Sequence, residues 1–304
     1  MATAETKCIN QQCGEKWTMF HGDCCEVIKG IPSGSIDFTV FSPPFASLYT
    51  YSNSDRDMGN SRDYDEFWGH FSFLIDQLER VTASGRLVSV HCMNLPTTIQ
   101  HHGEIGIQDF RGDIIRAFVC AGFIYHSEVC IWKDPVTAMQ RTKALGLLHK
   151  QIVKDSCMSR MGIPDYVCTF RKPGTNEKPV AGRLEHFAGD KSMFHNEGDL
   201  SIDIWQRYAS PVWMDINPSN TLQYRSAREN EDERHICPLQ LDVIERCLQL
   251  WSREGDVVLS PFAGIGSEGY VSVLLGRQFV GIELKQSYYE QAVRNLASAE
   301  DKCS

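Results

Sequence analysis

Asp256-Val257-Val258-Leu259-Ser260-Pro261-Phe262-Ala263-Gly264-Ile265-Gly266-Ser267 reads as a buried strand running into a glycine turn that opens a helix. The apolar run predicts the strand over 256–260, and helical spacing resumes over 267–275. A second strand is predicted over 278–283, ending on Glu283, and a closing helix over 287–297. An amphipathic helix over 239–251 leads into this βαβ unit. Small residues at the turn let the backbone approach a ligand, and an acid at the tip of the next strand accepts hydrogen bonds from two ribose hydroxyls. Gly264, Gly266 and Gly269 also satisfy the dinucleotide fingerprint literally. Taken alone, they leave open a dinucleotide enzyme and a turn that binds nothing.

A second strand end narrows the reading. Ile36 to Phe41 is too apolar for an exposed edge and predicts a buried parallel strand, which Ser42-Pro43-Pro44-Phe45 must end because two prolines cannot continue a ladder. An exocyclic amino group on a base is a poor nucleophile, since its lone pair is delocalised into the ring. Acceptors aimed at its hydrogens hold the nitrogen in line and favour pyramidalisation as a new bond forms. Ser42 offers a hydroxyl oxygen, Pro43 a carbonyl, Pro44 a fixed turn and Phe45 a face for stacking. A plain strand terminator would explain the prolines but leave Ser42 without a role.

Between these stretches the chain alternates. Helices are predicted over 64–81 and 113–121, and strands over 86–91, 124–132 and 165–170, which is the pattern of an α/β fold with a covered sheet. Residues 46–62 read as a long loop able to close over a site. The formal charge of −9 argues against a uniformly basic nucleic-acid coat. Locally, 141–172 holds seven Lys or Arg (Arg141, Lys143, Lys150, Lys154, Arg160, Arg171, Lys172) against Asp155 and Asp165, and is the candidate stretch for phosphate contact. The bland alternative is a solvated basic surface. Twelve cysteines without repeated spacing read as free, mostly buried thiols in a reduced compartment. Cys8, Cys13, Cys24 and Cys25 lack the spacing of a zinc knuckle, so no metal site is expected. No leader and no membrane-length apolar run is visible, and a cytoplasmic protein is expected.

Ser42-Pro43-Pro44-Phe45 resembles the catalytic motif of DNA amino-methyltransferases, and Pro261 to Gly266 resembles their cofactor loop. The catalytic motif precedes the cofactor motif, an order similar to that of the beta class. Gly22-Asp23-Cys24 and His235-Ile236-Cys237-Pro238-Leu239-Gln240 also resemble family segments. The likeness covers 17–172 and 235–297. It implies a Rossmann-like class I methyltransferase sheet in circularly permuted order. Residues 1–172 would form the catalytic half, with a DNA-facing loop over 135–164, and 235–304 the cofactor-binding half. Residues 173–234 stay open between a target-recognition insertion and surface loops.

By the same resemblance, S-adenosylmethionine would meet Ser260, Pro261, Phe262, Gly264, Gly266, Ser267 and Glu283, with Asp23, Phe41 and Gln240 contributing at its adenine or methionine end. Ser42, Pro43, Pro44 and Phe45 would hold the target base. Three departures stand out: Ser260 where the family has an acid, Glu268 where small or hydroxyl residues are commoner, and Ile236-Cys237 between His235 and Pro238.

Family members with Ser at the position of Ser42 more often modify cytosine N4, those with Asp or Asn adenine N6, so N4 is favoured and N6 is the alternative. Cytosine C5 chemistry needs a thiolate in a Pro-Cys pair, which is missing near the catalytic strand. The expected reaction is direct in-line transfer to a base flipped out of double-stranded DNA. A homodimer and a companion restriction enzyme, in a bacterium or a phage-infected cell, belong to the same expectation. A noncatalytic cofactor- or DNA-binding regulator, and RNA or protein amino groups as substrates, stay open.

Overall fold

The computed structural model describes residues 8–44, 61, 64–136, 149–180, 201–223 and 238–303. Its strands are β1 (Asn10–Cys13), β2 (Trp17–His21), β3 (Ile36–Phe41), β4 (Thr82–Met93), β5 (Leu95–Thr97), β6 (Gly106–Gln108), β7 (Ile124–Ile131), β8 (Asp165–Arg171), β9 (Val212–Trp213), β10 (Val257–Ser260) and β11 (Gln278–Glu283). Among the described residues β5 and β6 form a separate hairpin, and the others form one sheet in the order β1-β2-β11-β10-β3-β4-β8-β7-β9. The run β2-β11-β10-β3-β4 is parallel throughout. The permuted chain closes because β2, near the start, pairs with β11, near the end.

The helix–strand alternation predicts a covered parallel sheet, and here the structure adds a correction. β8 lies antiparallel to both β4 and β7. It begins at the edge where β4 and β7 end, so Asp165 sits opposite Met93 and Ile131.

Every residue of β3 is buried, as a strand covered on both faces requires. Phe41 joins a core with Phe67, Phe71, Leu74, Ile75 and Leu78 of the helix Tyr64–Val81, whose apolar positions recur at helical spacing. Phe38 and Val40 join the opposite core, built with the helices Leu241–Trp251, Ser267–Leu274 and Gln286–Cys303. The last helix outruns its predicted end at 297, since no Gly or Pro follows Gly281 to stop it.

At the amino ends of the strands the two halves are tied by a buried ion pair. Arg86 on β4 pairs with Asp256 at the start of β10, and its Nε donates to the carbonyl of Asp37 at 2.7 Å. Asp37 in turn accepts from the backbone N–H of Val257 at 3.0 Å.

Between 201 and 223 the chain is seated on the core. The helix Ser201–Tyr208 and edge strand β9 bring Tyr208 and Trp213 into the interior. Arg246 lies 5.0 Å over the Tyr208 ring and 5.3 Å over that of Trp213, and pairs with Asp215 through both amino nitrogens. The eleven described cysteines are free as expected, but Cys24, Cys92, Cys168 and Cys247 alone are buried, so the thiols are not mostly buried. The cysteines at 13, 120, 157 and 303 lie at exposed positions in or near the ends of short elements and helices. Among the described residues no helix is long and apolar enough to cross a membrane.

Candidate active site

The sheet order reverses between β10 and β3: β11 follows β10 on one side, while β3 flanks it on the other. Ligands bind at such a switch point, outside the carboxyl ends of the strands. The register pairs Val258 with Phe38 and Leu259 with Thr39; continued, it sets Pro261 beside Phe41 and Phe262 beside Ser42. Ring centroids of Phe41 and Phe262 are accordingly 5.7 Å apart. Two motifs far apart in sequence therefore meet at one strand end.

The glycine loop is built for backbone approach. Gly264 and Gly266 have φ of +53° and +83°, in the left-handed region that favours glycine. A Cβ on Gly264 would meet nothing within 4 Å, so the loop faces open space there. A Cβ on Gly269 would fall 2.4 Å from the Phe279 ring, so this third glycine serves close helix–strand packing. Glu283, at the tip of β11, accepts the backbone N–H of Gly264 through Oε2 and that of Lys285 through Oε1, both at 2.8 Å.

Ser260 and Ser267 are buried on either side of this turn, and each has a hydroxyl oxygen without a partner, as has the Oε1 of Gln240 ahead of the helix Leu241–Trp251. Orphaned buried polar atoms of this kind ask for a ligand or water. Glu268, in the first turn of the next helix, is 4% exposed. Burial, with the charge of Glu283 adding to it, pushes its carboxyl up to about 8. These residues fit S-adenosylmethionine, the cofactor implied by the resemblance: an acid for the ribose diol, open backbone at Gly264, and uncommitted polar atoms for the amino-acid end.

Two expected cofactor contacts have other work in the structure. Asp23 caps the helix Cys24–Val27, accepting from the backbone N–H of Cys25 at 2.9 Å. Phe41 is fully buried, with its ring packed 5.7 Å from that of Phe262. Asp23, Cys24 and Cys25 bring one oxygen and two sulfurs within 4.8 Å of one another. That cluster lacks a fourth ligand among the described residues, and the Asp23 carboxylate is engaged in its cap.

At the other motif, Ser42 is half-buried directly past β3, with Pro43 and Pro44 following it out of the sheet. Phe45 lies outside the described residues, as do 46–60, Arg62 and 224–237 with His235. The Oγ of Ser42 lies 2.6 Å from Nδ1 of His91, at the carboxyl end of β4. On the far side of the ring, Nε2 lies 3.4 Å from Oδ2 of Asp165, and Oδ1 of Asp165 accepts from Lys133 Nζ at 2.5 Å. Burial alone would raise the Asp165 carboxyl, but Lys133 and His91 outweigh it and hold the group below its ordinary range. Sequence reading missed His91, Asp165 and Lys133. The available signal was the position of His91 as the last residue of a predicted strand, since strand ends at this edge meet the ligand.

The basic stretch is corrected by the direction of β8. Arg171 pairs with Leu87, six strand positions and roughly 20 Å from Met93 at the site edge. Lys172 beside it is paired with Glu79 at 3.4 Å. Arg171 and Lys172 therefore belong to the far edge of the sheet, away from Ser42. Lys154 and Arg160 precede β8 and so enter from the site edge, while 141–148 lie outside the described residues.

Sheet order and adjoining strand-end motifs define a class I methyltransferase fold. The Type II methyltransferase M.BglII of Bacillus subtilis is 25% identical over 287 residues, covering 93% of this chain and 70% of that protein. The DNA adenine methyltransferase YhdJ of Escherichia coli K12 is 24% identical, covering 93% of this chain and 83% of that one. The structure of TTHA0409 from Thermus thermophilus, solved in complex with S-adenosyl-L-methionine, superposes with a TM-score of 0.65 at 21% identity over 92% of this chain and 94% of that one. The cytosine-N4-specific PvuII DNA methyltransferase superposes at 0.63 with 14% identity, over 95% and 92%. At such identities these structures speak for the fold. Residues 36–294 match the DNA methylase family of N6 and N4 methyltransferases, and the chain belongs to that family.

Proposed function

We propose that this DNA amino-methyltransferase moves a methyl group from S-adenosylmethionine to N4 of cytosine. When bound, the cofactor supplies an electrophilic sulfonium methyl. The chain's own residues do the rest. Glu283 would accept from the ribose hydroxyls, the loop from Ser260 to Ser267 would hold the amino-acid end, and Phe262 would line the space between the two strand ends. Ser42 Oγ and the Pro43 carbonyl accept the hydrogens of the target amine, holding its lone pair in line with the methyl. Phe45 stacks on the base. Duplex DNA reaches this pocket by flipping the base out of its stack, with 135–164 as the DNA-facing segment.

The observation that supports this reading best is the hydroxyl of Ser42 at the carboxyl end of β3, at the switch point beside the glycine loop. By the family resemblance, serine at this position in place of Asp or Asn favours N4. The relationship to YhdJ keeps adenine N6 as the second reading. The deciding experiment incubates unmethylated DNA with the protein and isotopically labelled S-adenosylmethionine, then analyses nucleosides by mass spectrometry. Label in N4-methylcytosine is expected. Label in N6-methyladenine would overturn the base assignment, and no label in any base would overturn the activity.

A further inference from the structure

Behind Ser42 runs a chain of polar groups that amino-group recognition alone does not require. His91 is 8% exposed and Asp165 4%, both at the site edge of the sheet. Three different strands supply the line: Ser42 follows β3, His91 is on β4 and Asp165 opens β8, with Lys133 just past β7. Burying an imidazole and a carboxylate with an ammonium against them costs more than apolar packing would unless their order has a use.

The direction of the Ser42–His91 hydrogen bond follows from the charge at the far end. Asp165 is kept ionised by Lys133, and a carboxylate can only accept. The ring nitrogen facing it, Nε2, must then carry the hydrogen, which leaves a lone pair on Nδ1. The Ser42 hydroxyl, 2.6 Å from Nδ1, must donate to it. With its own hydrogen committed, Ser42 Oγ presents lone pairs alone to the pocket. The opposite tautomer would turn a serine hydrogen toward the amine and repel it. At 3.4 Å from Asp165 Oδ2, Nε2 is close to the carboxylate without making a hydrogen bond to it, so the carboxylate orients the ring by its charge.

We propose that His91 is a positioning residue for methyl transfer: oriented by Asp165 and Lys133, it fixes Ser42 as an acceptor and takes up the proton that the methylated amine sheds. This rests on the proposed reaction at Ser42. As the C–N bond forms, the C–S bond breaks with its electron pair staying on sulfur, and the amine becomes a cation. One of its hydrogens passes to Ser42 Oγ while the hydroxyl hydrogen passes to His91 Nδ1. The resulting imidazolium faces the Asp165 carboxylate and afterwards returns its proton to solvent. The line thus gives a neutral serine the acceptor polarity that a carboxylate or amide has by itself.

The test uses the full chain, labelled S-adenosylmethionine and unmethylated DNA, followed under single turnover. His91→Phe should slow label transfer about 100-fold, the lower range for a lost acid–base group, with cofactor binding unchanged. His91→Asn keeps an acceptor oxygen near the Nδ1 position and should recover part of the rate. The groups facing the ring are Ser42, Asp165 and, behind it, Lys133, with the thiols of Cys92 and Cys130 close to Asp165. Nitrogen-15 spectra of the ring should report the Nε2–H tautomer without any substrate. An Nδ1–H tautomer would overturn the inference, as would a His91→Phe rate equal to wild type, or a loss of rate matched by equal losses of cofactor binding and thermal stability. If wild type transfers no label, the proposed reaction fails and this inference with it; if wild type transfers label and His91→Phe keeps pace, the inference fails alone.

Discussion

Glu283 Oε2 accepts the backbone N–H of Gly264 at 2.8 Å, so the acid at the end of β11 braces the very turn whose open face awaits the cofactor. One carboxylate thus serves the loop and, by the proposed function, the ribose. Replacing Glu283 with Ala should weaken S-adenosylmethionine binding about 10- to 100-fold, the equivalent of one or two hydrogen bonds to a charged group. Isothermal titration calorimetry reads it directly. Unchanged affinity would move the ribose contact to another residue.

Ser42→Ala should separate binding from chemistry. Its hydroxyl bonds to His91 and is assigned to the base and not to the cofactor, so the methyl-transfer rate should fall about 100-fold, as when one preorganised polar group is lost from a reaction centre. The cofactor dissociation constant should stay within about threefold of wild type. Equal losses in both quantities would count against its assignment to the base.

Arg86 and Asp256 join the two halves of the permuted chain inside the sheet's amino edge, each 2% exposed. Arg86→Met removes the buried partner of Asp256 and leaves it only the partly exposed Arg253, 3.3 Å away, so it should destabilise the fold by about 3 kcal/mol, the lower end for breaking a buried pair. The double change Arg86→Met, Asp256→Leu should recover part of that, because it removes the buried carboxylate that has lost its main partner. Chemical denaturation midpoints decide the matter.

Glu268 gives the fold a pH dependence of known sign. Its carboxyl is ordinary in the unfolded chain, near 4.5, and pushed up to about 8 in the fold. Between those values the folded chain holds a proton that the unfolded chain has released, so stability falls as pH rises through the window. Glu245, raised to about 7 by burial, adds a contribution of the same sign. Glu268→Gln should therefore raise the melting temperature relative to wild type at pH 8.5 and leave it nearly unchanged at pH 4.5. An equal difference at both values would place the effect in packing instead of charge.

Much of the catalytic layout could be read along the chain because its signals are local. Pro43-Pro44 must end β3 whatever surrounds them, and the turn from Pro261 to Gly266 needs left-handed residues wherever it sits. The helix Tyr64–Val81 has the bounds its periodicity predicts, because its six buried residues repeat at helical spacing. The antiparallel course of β8 was not legible: a strand's apolar run is the same in either direction. That one ambiguity left Arg171 and Lys172 within the candidate phosphate-contact stretch, although they lie at the far edge of the sheet, and hid Asp165 at the site edge. β9 was hidden too, since two residues carry no period, and Trp213 is buried by a helix that follows it by nearly thirty positions.

By itself, then, the sequence determined which pieces exist and what chemistry each strand end can offer, because turn geometry, helical period and functional-group type are properties of neighbouring residues. Tertiary structure alone decided which ends face each other. Ser42 meets His91 because β3 and β4 run parallel in a register that pairs Phe41 with Val90, and His91 meets Asp165 because β8 enters from that same edge. Those are relations across the sheet, set by hydrogen-bonded register and by the packing of both faces. No residue's nearest neighbours in the chain encode them.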